Sequence, residues 1–200
     1  GPIERFGKFY PQSNGIRSLE PSKFNYGLYR ILKGVTKKVF ADNFIKLLMP
    51  ILYAPEIYSR IFLVFSIYGL MLQLYMDFSG YADIAIGISR LFGYEIIENF
   101  NRPFFQKNIA LFWRNWHISL YTWIRDYFFF PIFGHCASKT KIYIGIFCTM
   151  LIFTLWHKIS VNFFILGIYN GLGLLVWYIF QTFKKRCHLI QILFSKKYLD

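Results

Sequence analysis

The stretch TLWHKIS, residues 154–160, sets His157 and Lys158 side by side between two long apolar runs, 142–157 and 159–183. An ionisable group within apolar helices is costly and by default marks a function. A neutral imidazole, with an ordinary pKa of about 6.5, is the side chain suited to accept a proton near neutral pH. Desolvation lowers that pKa and keeps the ring neutral. His157 therefore reads either as a general base or as a hydrogen-bonded histidine at a helix end, and spacing leaves both open. Lys158 reads as a side chain that snorkels to an interface. Asp77 and Asp83 sit in DFSGYAD, where Ser79-Gly80 is expected to break a helix. They could pair with a buried cation, Arg90 and Arg102 being candidates, or cap helix starts. His135 and His188 read as incidental.

Other chemistries lack their residues. There is no Gly-rich phosphate loop, GxSxG elbow or HExxH motif. The cysteines, Cys136, Cys148 and Cys187, have no metal-ligand spacing and read as small apolar residues, so no metal site is expected.

The elements that must carry these groups are apolar. Of 200 residues, 56% are hydrophobic and 22% aromatic, more than a soluble domain of ordinary composition carries. Net charge is +13. The basic residues cluster beside apolar runs: Arg30, Lys33, Lys37, Lys38 and Lys46 in one segment, Lys184, Lys185 and Arg186 after another. That arrangement fits a cytoplasmic membrane face with anionic lipid, and membrane lipids rather than nucleic acid are the expected partners.

Residues 1–27 are polar, rich in Pro and Gly, and are expected to be irregular or interfacial. Residues 28–48 carry an amphipathic helical pattern that suits the headgroup plane. The run 61–76 is uncharged but would span about 24 Å as a helix, short of a bilayer core of about 30 Å. Completing the crossing would draw Asp77 toward membrane depth. One helix is expected over 108–134, capped by Asn108 and stopped by Pro131 and Gly134. Its wheel puts Trp113, Trp116, His117, Leu120 and Ile124 on one face, with Arg114 and Asn115 opposite, so His117 reads as a core or interfacial histidine. The runs 142–157 and 159–183 should form a hairpin joined at Lys158, with Lys139 and Lys141 on the same side as Lys184–Arg186. The fold class is all-α, a polytopic membrane helical bundle with interfacial amphipathic helices. One membrane domain is expected over 1–200, with its helical core at 28–183 and a basic flank at 184–200. The chain begins at Gly1 without a signal-peptide layout and is expected to be part of a longer protein.

Four stretches in order, LQLYMDFSGYADIAIGISRLFGY (72–94), ENFNRPF (98–104), FWRNWHISLYTWIRDYFFFPI (112–132) and LWH (155–157), resemble the membrane-bound O-acyltransferase family, above all its bacterial alginate-acetylating branch. The opening GPIERF is similar to that family's Gly-Pro-Ile-x-Arg stretch. The resemblance runs to about residue 180, and implies a C-terminal portion of a polytopic enzyme built round a deep pocket or tunnel. Such an enzyme moves an acyl group from a thioester, acetyl-CoA or another, to a hydroxyl, with no bound cofactor. By resemblance, His157 is the catalytic base and His117 the second catalytic histidine. Asn115, Trp116, Arg114 and Asn162 would line the substrate site or orient a histidine. The implied acceptor is an envelope or exported polysaccharide, at the bacterial inner membrane, with envelope acetyltransferase partner proteins. D-alanyl transfer to teichoic acid and a non-catalytic scaffold or export role remain alternatives. This chain departs from the family pattern at Lys158, where Gly is usual, at Val161 for Trp and at Asn170 for His.

Overall fold

A computed structural model describes residues 1–14, 20–134 and 138–186. His135, Cys136, Cys187, His188 and the rest of the flank from 187 lie outside the described residues. Helices are the regular elements of the described chain, which divides into two compact units, Gly1–Asn101 and Arg102–Asp200.

The first unit is a long helical hairpin. Helix α1 (Phe6–Ser13) lies within the segment expected to be irregular, with Pro11 inside it. Helix α2 runs Pro21–Tyr53, entered through Pro21, whose missing N–H costs nothing in a first turn. Helix α3 runs Arg60–Leu91 and packs along α2. α3 does not break at Ser79-Gly80, contrary to the sequence expectation. The glycine serves close approach instead of a turn. A Cβ on Gly80 would fall 2.8 Å from the Gly34 carbonyl, and one on Gly34 2.6 Å from the Gly80 carbonyl. Gly27 and Gly87 repeat this contact, at 2.9 and 2.6 Å. Backbones that meet this closely leave no room for any side chain.

The same interface gathers the charges. Asp83, 4% exposed, takes Arg30 Nη2 at 2.5 Å, Lys37 Nζ at 2.7 Å and Lys33 Nζ at 3.5 Å. Arg30 also holds Glu98 through both terminal nitrogens, at 2.5 and 2.9 Å. Asp77 pairs with Lys38. The aspartates are therefore partnered by α2, not by Arg90, which pairs with Glu95, nor by Arg102. Helical periodicity explains the set, since residues 30, 33 and 37 share one face of α2. Carrying two aspartates through α3 extends it to 32 residues, long and apolar enough to cross a membrane. Only 6% of its most apolar window is buried within the protein, so lipid is the natural solvent for the rest.

The second unit contains α4 (Ile109–Asn115), α5 (Ile118–Ile124), a π-helical turn (Arg125–Phe129), α6 (Phe130–Phe133), α7 (Lys139–Leu155) and α8 (Val161–Arg186). Asn108 caps α4 as expected, its Oδ1 accepting from the Leu111 N–H at 2.9 Å, and α6 stops at Gly134, with φ +77°. The single helix expected over 108–134 is broken, for a reason that bears on the site. Helices α7 and α8 form the expected hairpin. Tyr143 Oη and Thr182 Oγ1 lie 3.1 Å apart near its Lys139 end, and a Cβ on Gly167 would meet Thr154 Oγ1 at 2.5 Å near the other. α8 is the second helix able to span a membrane.

Replacing Gly34 by Leu should strip the first unit of its helix pairing and lower the melting temperature by several degrees or abolish folded yield, because overpacking of this kind costs about 1–3 kcal/mol or more. Gly7→Ala, with nothing within 4 Å, is the matched control. Equal thermal unfolding of the two variants in detergent would contradict the close approach. Asp83→Ala, which leaves buried cations unpaired, should cost about 3–5 kcal/mol, and more than Asp77→Ala in the same assay, since the Asp77–Lys38 pair is about one-third exposed.

Candidate active site

The break in the 108–134 helix creates the site. After α4 the backbone becomes extended at Trp116, with φ −102° and ψ 125°, and then left-handed at His117, with φ 47° and ψ 56°. The helical wheel drawn through 108–134 therefore does not apply across 116–117. His117 is 1% exposed, and its carbonyl accepts from the Tyr121 N–H at 3.0 Å to start α5. Of the two positions expected for His117, core or interfacial, the structure shows the core one, and it is reached through the turn, not through a helix face. The ring points into the second unit, with Nδ1 3.5 Å from Ser119 Oγ.

His157 arrives from the other direction. α7 ends at Leu155, and two further backbone bonds close its end: Trp156 N–H to Ile152 O at 2.8 Å and His157 N–H to Thr154 O at 3.1 Å. Thr154 Oγ1 bonds back to the Met150 and Leu151 carbonyls, and Gly167 lets α8 press against it. The turn before His157 is thus clamped. Ser160 then starts α8, its Oγ accepting from Phe163 N–H at 3.4 Å.

The two imidazole centroids lie 6.1 Å apart with planes tilted by 50°. Aromatic side chains flank them as a partial collar. Phe153 is 6.1 Å from the His117 ring and 6.2 Å from that of His157, Trp156 is 6.1 and 5.2 Å away, and Phe163 lies against His157 at 6.4 Å. His157 keeps an exposed side, and its ring nitrogens make no hydrogen bond among the described residues. Burial against the collar still pushes its pKa below the ordinary imidazole value. For His117, burial first and the neighbouring His157 charge second push the pKa down to about 3. Both rings are therefore neutral at pH 7. One can take a proton from outside, and the other is enclosed and resists a second charge nearby.

The remaining expected site residues are spread out. Asn115 donates its amide to the Leu111 carbonyl at 2.8 Å within its own helix. Trp116 stacks on Phe112 at 5.7 Å and meets Phe104 edge-on at 6.0 Å. Arg114 is exposed in the last turn of α4. Asn162 is exposed in the first turn of α8, and Lys158 is exposed in the short link between α7 and α8. The geometry thus brings the two histidines together and leaves the four flanking residues at its edges. The sequence reading did not assign Phe153 and Phe163 to the site. Helical spacing carried the signal, since Phe153 lies one turn before His157.

The chain matches the family described as MBOAT, membrane-bound O-acyltransferase, over residues 1–196. The chain belongs to the membrane-bound O-acyltransferase family. Among relatives, a Pseudomonas syringae pv. tomato protein named "Probable alginate O-acetylase AlgI" is 36% identical over 176 residues, covering 88% of this chain and 34% of its own length. A Bacillus subtilis teichoic acid D-alanyltransferase is 29% identical over 197 residues, covering 93% of this chain and 50% of its own. A Helicobacter pylori peptidoglycan O-acetyltransferase is 36% identical over 116 residues, 58% of this chain and 22% of its own. The chain therefore spans between about a fifth and a half of the length of these relatives. It is an all-α membrane protein of this family, and α3 and α8 are long and apolar enough to cross a membrane.

The pH behaviour of His117 follows from its burial. An unfolded imidazole titrates at about 6.5, and the native one at about 3. Between those values the unfolded chain holds the proton that the native chain lacks, so stability rises with pH there. The contribution of the buried neutral ring is complete above about pH 6.5 and is lost as pH falls through the native pKa. Histidine-selective nitrogen-15 spectra should show a neutral His117 ring still present at about pH 5. Charging of that ring between about pH 6 and 7 would contradict its burial.

Proposed function

We propose that this protein is a membrane O-acyltransferase that passes an acyl group, acetyl in the first instance, from a thioester donor to hydroxyls of an envelope or exported polysaccharide, with His157 as general base. The observation that carries this reading is the His157 ring, open on one side, 6.1 Å from the buried His117 ring, with Phe153 and Trp156 flanking both.

An alcohol is a weak nucleophile at its own pKa. His157, at about 3 Å, takes the hydroxyl proton as the oxygen attacks the thioester carbonyl. The tetrahedral intermediate collapses, the carbon–sulfur bond breaks, and the imidazolium returns its proton to the leaving thiolate. The aromatic side chains shield one side of the His157 ring from water, which limits hydrolysis of the thioester. His117 acts beside it as the second histidine of the site, neutral throughout, so that one proton is held at a time. Trp116 and Asn115 support the His117 turn, while Arg114 and Asn162 stand at the edges where an anionic or sugar substrate would pass. Acetyl-CoA or another acyl thioester serves as donor and substrate, not as a resident cofactor.

The setting is a multi-pass protein of the bacterial inner membrane, working with envelope acetyltransferase partners. Similarity to the alginate and peptidoglycan enzymes supports the polysaccharide acceptor. The second reading, D-alanyl transfer to teichoic acid, is favoured by the 93% of this chain aligned with the B. subtilis enzyme. A soluble acyl-carrier partner is required by the second reading and not by the first.

In cells lacking the native gene, His157→Ala and His157→Gln should both reduce glycan O-acylation at least a hundredfold while leaving membrane expression intact, since general-base removal typically costs 10²–10⁴-fold. Substantial turnover in either variant rejects His157 as the base, and full activity in both moves the scaffold role to the front. Because the pKa of His157 lies below the ordinary value, wild-type activity should hold as pH falls past about 6.5 before it declines. Lys158→Gly should retain or raise activity. A specific loss of donor binding would instead give Lys158 a substrate role.

A further inference from the structure

Three threonine hydroxyls in the second unit donate their protons to backbone carbonyls three or four residues back. Thr122 Oγ1 reaches Ile118 O at 2.8 Å and Ser119 O at 3.1 Å. Thr149 Oγ1 reaches Gly145 O at 2.7 Å, and Thr154 Oγ1 reaches Met150 O and Leu151 O, both at 3.1 Å. This is the ordinary outlet for a hydroxyl on a helix.

Ser119 is placed differently. It is 1% exposed and stands in the first turn of α5, which starts at Ile118. Four residues back is Asn115, the last of α4, and three back is Trp116, where the backbone is extended. Ser119 therefore has no carbonyl at that spacing within its own helix. Its Oγ lies instead 3.5 Å from Nδ1 of His117. Residues two apart on a regular helix do not face each other, so this contact is a product of the left-handed backbone at His117. Phe153 and Trp156 meet the same ring at steep angles, 81° and 83°. A phenyl ring offers no lone pair and an indole only donates, so neither can receive a hydroxyl proton as Nδ1 can. In a neutral imidazole, the hydrogen bond made at one nitrogen decides the state of the other.

We propose that Ser119 is a positioning residue whose hydroxyl donates to His117 Nδ1 and so holds the ring as the Nε2–H tautomer. The proposal deepens the acyl-transfer reading and rests on it for the catalytic consequence, while the tautomer rests on the geometry alone. Held this way, His117 gives the site a hydrogen-bond donor and not a second base, and His157 is the one histidine that takes the hydroxyl proton. At 3.5 Å the contact is long, as catalytic hydrogen bonds often are before substrate binds, and it tightens in the occupied site.

The test uses purified full-length protein in detergent with nitrogen-15 histidine. Ring nitrogen shifts and their couplings to the ring carbon-bound protons tell Nε2–H from Nδ1–H. The His117 signals are those missing from His117→Gln. Wild type should show the Nε2–H form at about pH 7, and Ser119→Thr, which keeps the hydroxyl, should retain it. Ser119→Ala should give a mixture or the Nδ1–H form. In the transfer assay it should lower kcat roughly tenfold, the worth of one hydrogen bond, with KM little changed. The pH at which activity declines should not move, because His157 is untouched. An Nδ1–H ring in wild type, an unchanged tautomer in a folded Ser119→Ala, or unchanged kcat in that variant overturns the proposal. Should Ser119→Ala fail to fold, Ser119→Cys, similar in size and a weaker donor, takes its place. If that fails too, the wild-type tautomer decides. The spectra need no turnover, so transfer that survives in His157→Ala would sink the general-base reading and leave the tautomer result standing.

Discussion

At His117 an L-residue adopts the left-handed backbone conformation, with φ 47°, in the middle of an aromatic run that otherwise favours helix. That geometry costs about 1–2 kcal/mol, and it persists only where the surroundings fix it. Here the surroundings are the interior of the second unit. The turn ends α4, starts α5, and sends the imidazole inward to 1% exposure. A continuous helix would have carried the ring along one face past α7. The turn instead delivers it to the end of α7, where the chain leaves its helix at His157. The proximity of the two histidines, the collar around them and the depressed basicity of both depend on that local conformation.

The end of α7 is fixed by a different device. Thr154 binds its own helix backbone, and Gly167 removes the side chain that would hold α8 away. The hairpin is therefore tight near His157, while at the middle of α7 the neighbouring elements stand back around a cavity beside Trp113 and Met150. Rigid packing at the His157 turn thus stands next to open volume in the same unit.

The first unit solves a problem set by its apolar surroundings. Two aspartates in a helix otherwise apolar enough to span a membrane must be neutralised from within the protein. α2 supplies Arg30, Lys33 and Lys37 to Asp83 and Lys38 to Asp77, and the glycine pairs bring the helices close enough for those side chains to reach. The basic segment that reads in sequence as a lipid-facing surface thus spends several of its cations on these carboxylates.

Much of the architecture was legible in the order of residues. Apolar runs bounded by charge located α3, α7 and α8. Asn108 and Gly134 marked a start and a stop. The resemblance in 72–132 and LWH pointed to the family and to both histidines. These are local properties, set by hydrophobic periodicity, capping and motif, and one sequence records them. The remainder needed neighbours. Gly80 reads as a helix breaker because propensity is counted on an isolated chain, whereas close packing against Gly34 turns the missing side chain into an advantage. The left-handed turn at His117 has no glycine or proline to announce it, so a helical wheel ran through it. The partners of Asp77 and Asp83 come from residues about forty to fifty positions away, a distance at which sequence offers candidates and only the packed helices choose among them. The sequence by itself determined which long apolar segments are helical, how apolar they are and which ionisable groups they carry, but not the short helix α1 or the break at 116–117. Only the tertiary structure decided which of those groups meet, because burial, pairing and basicity depend on what surrounds a side chain and not on what precedes it.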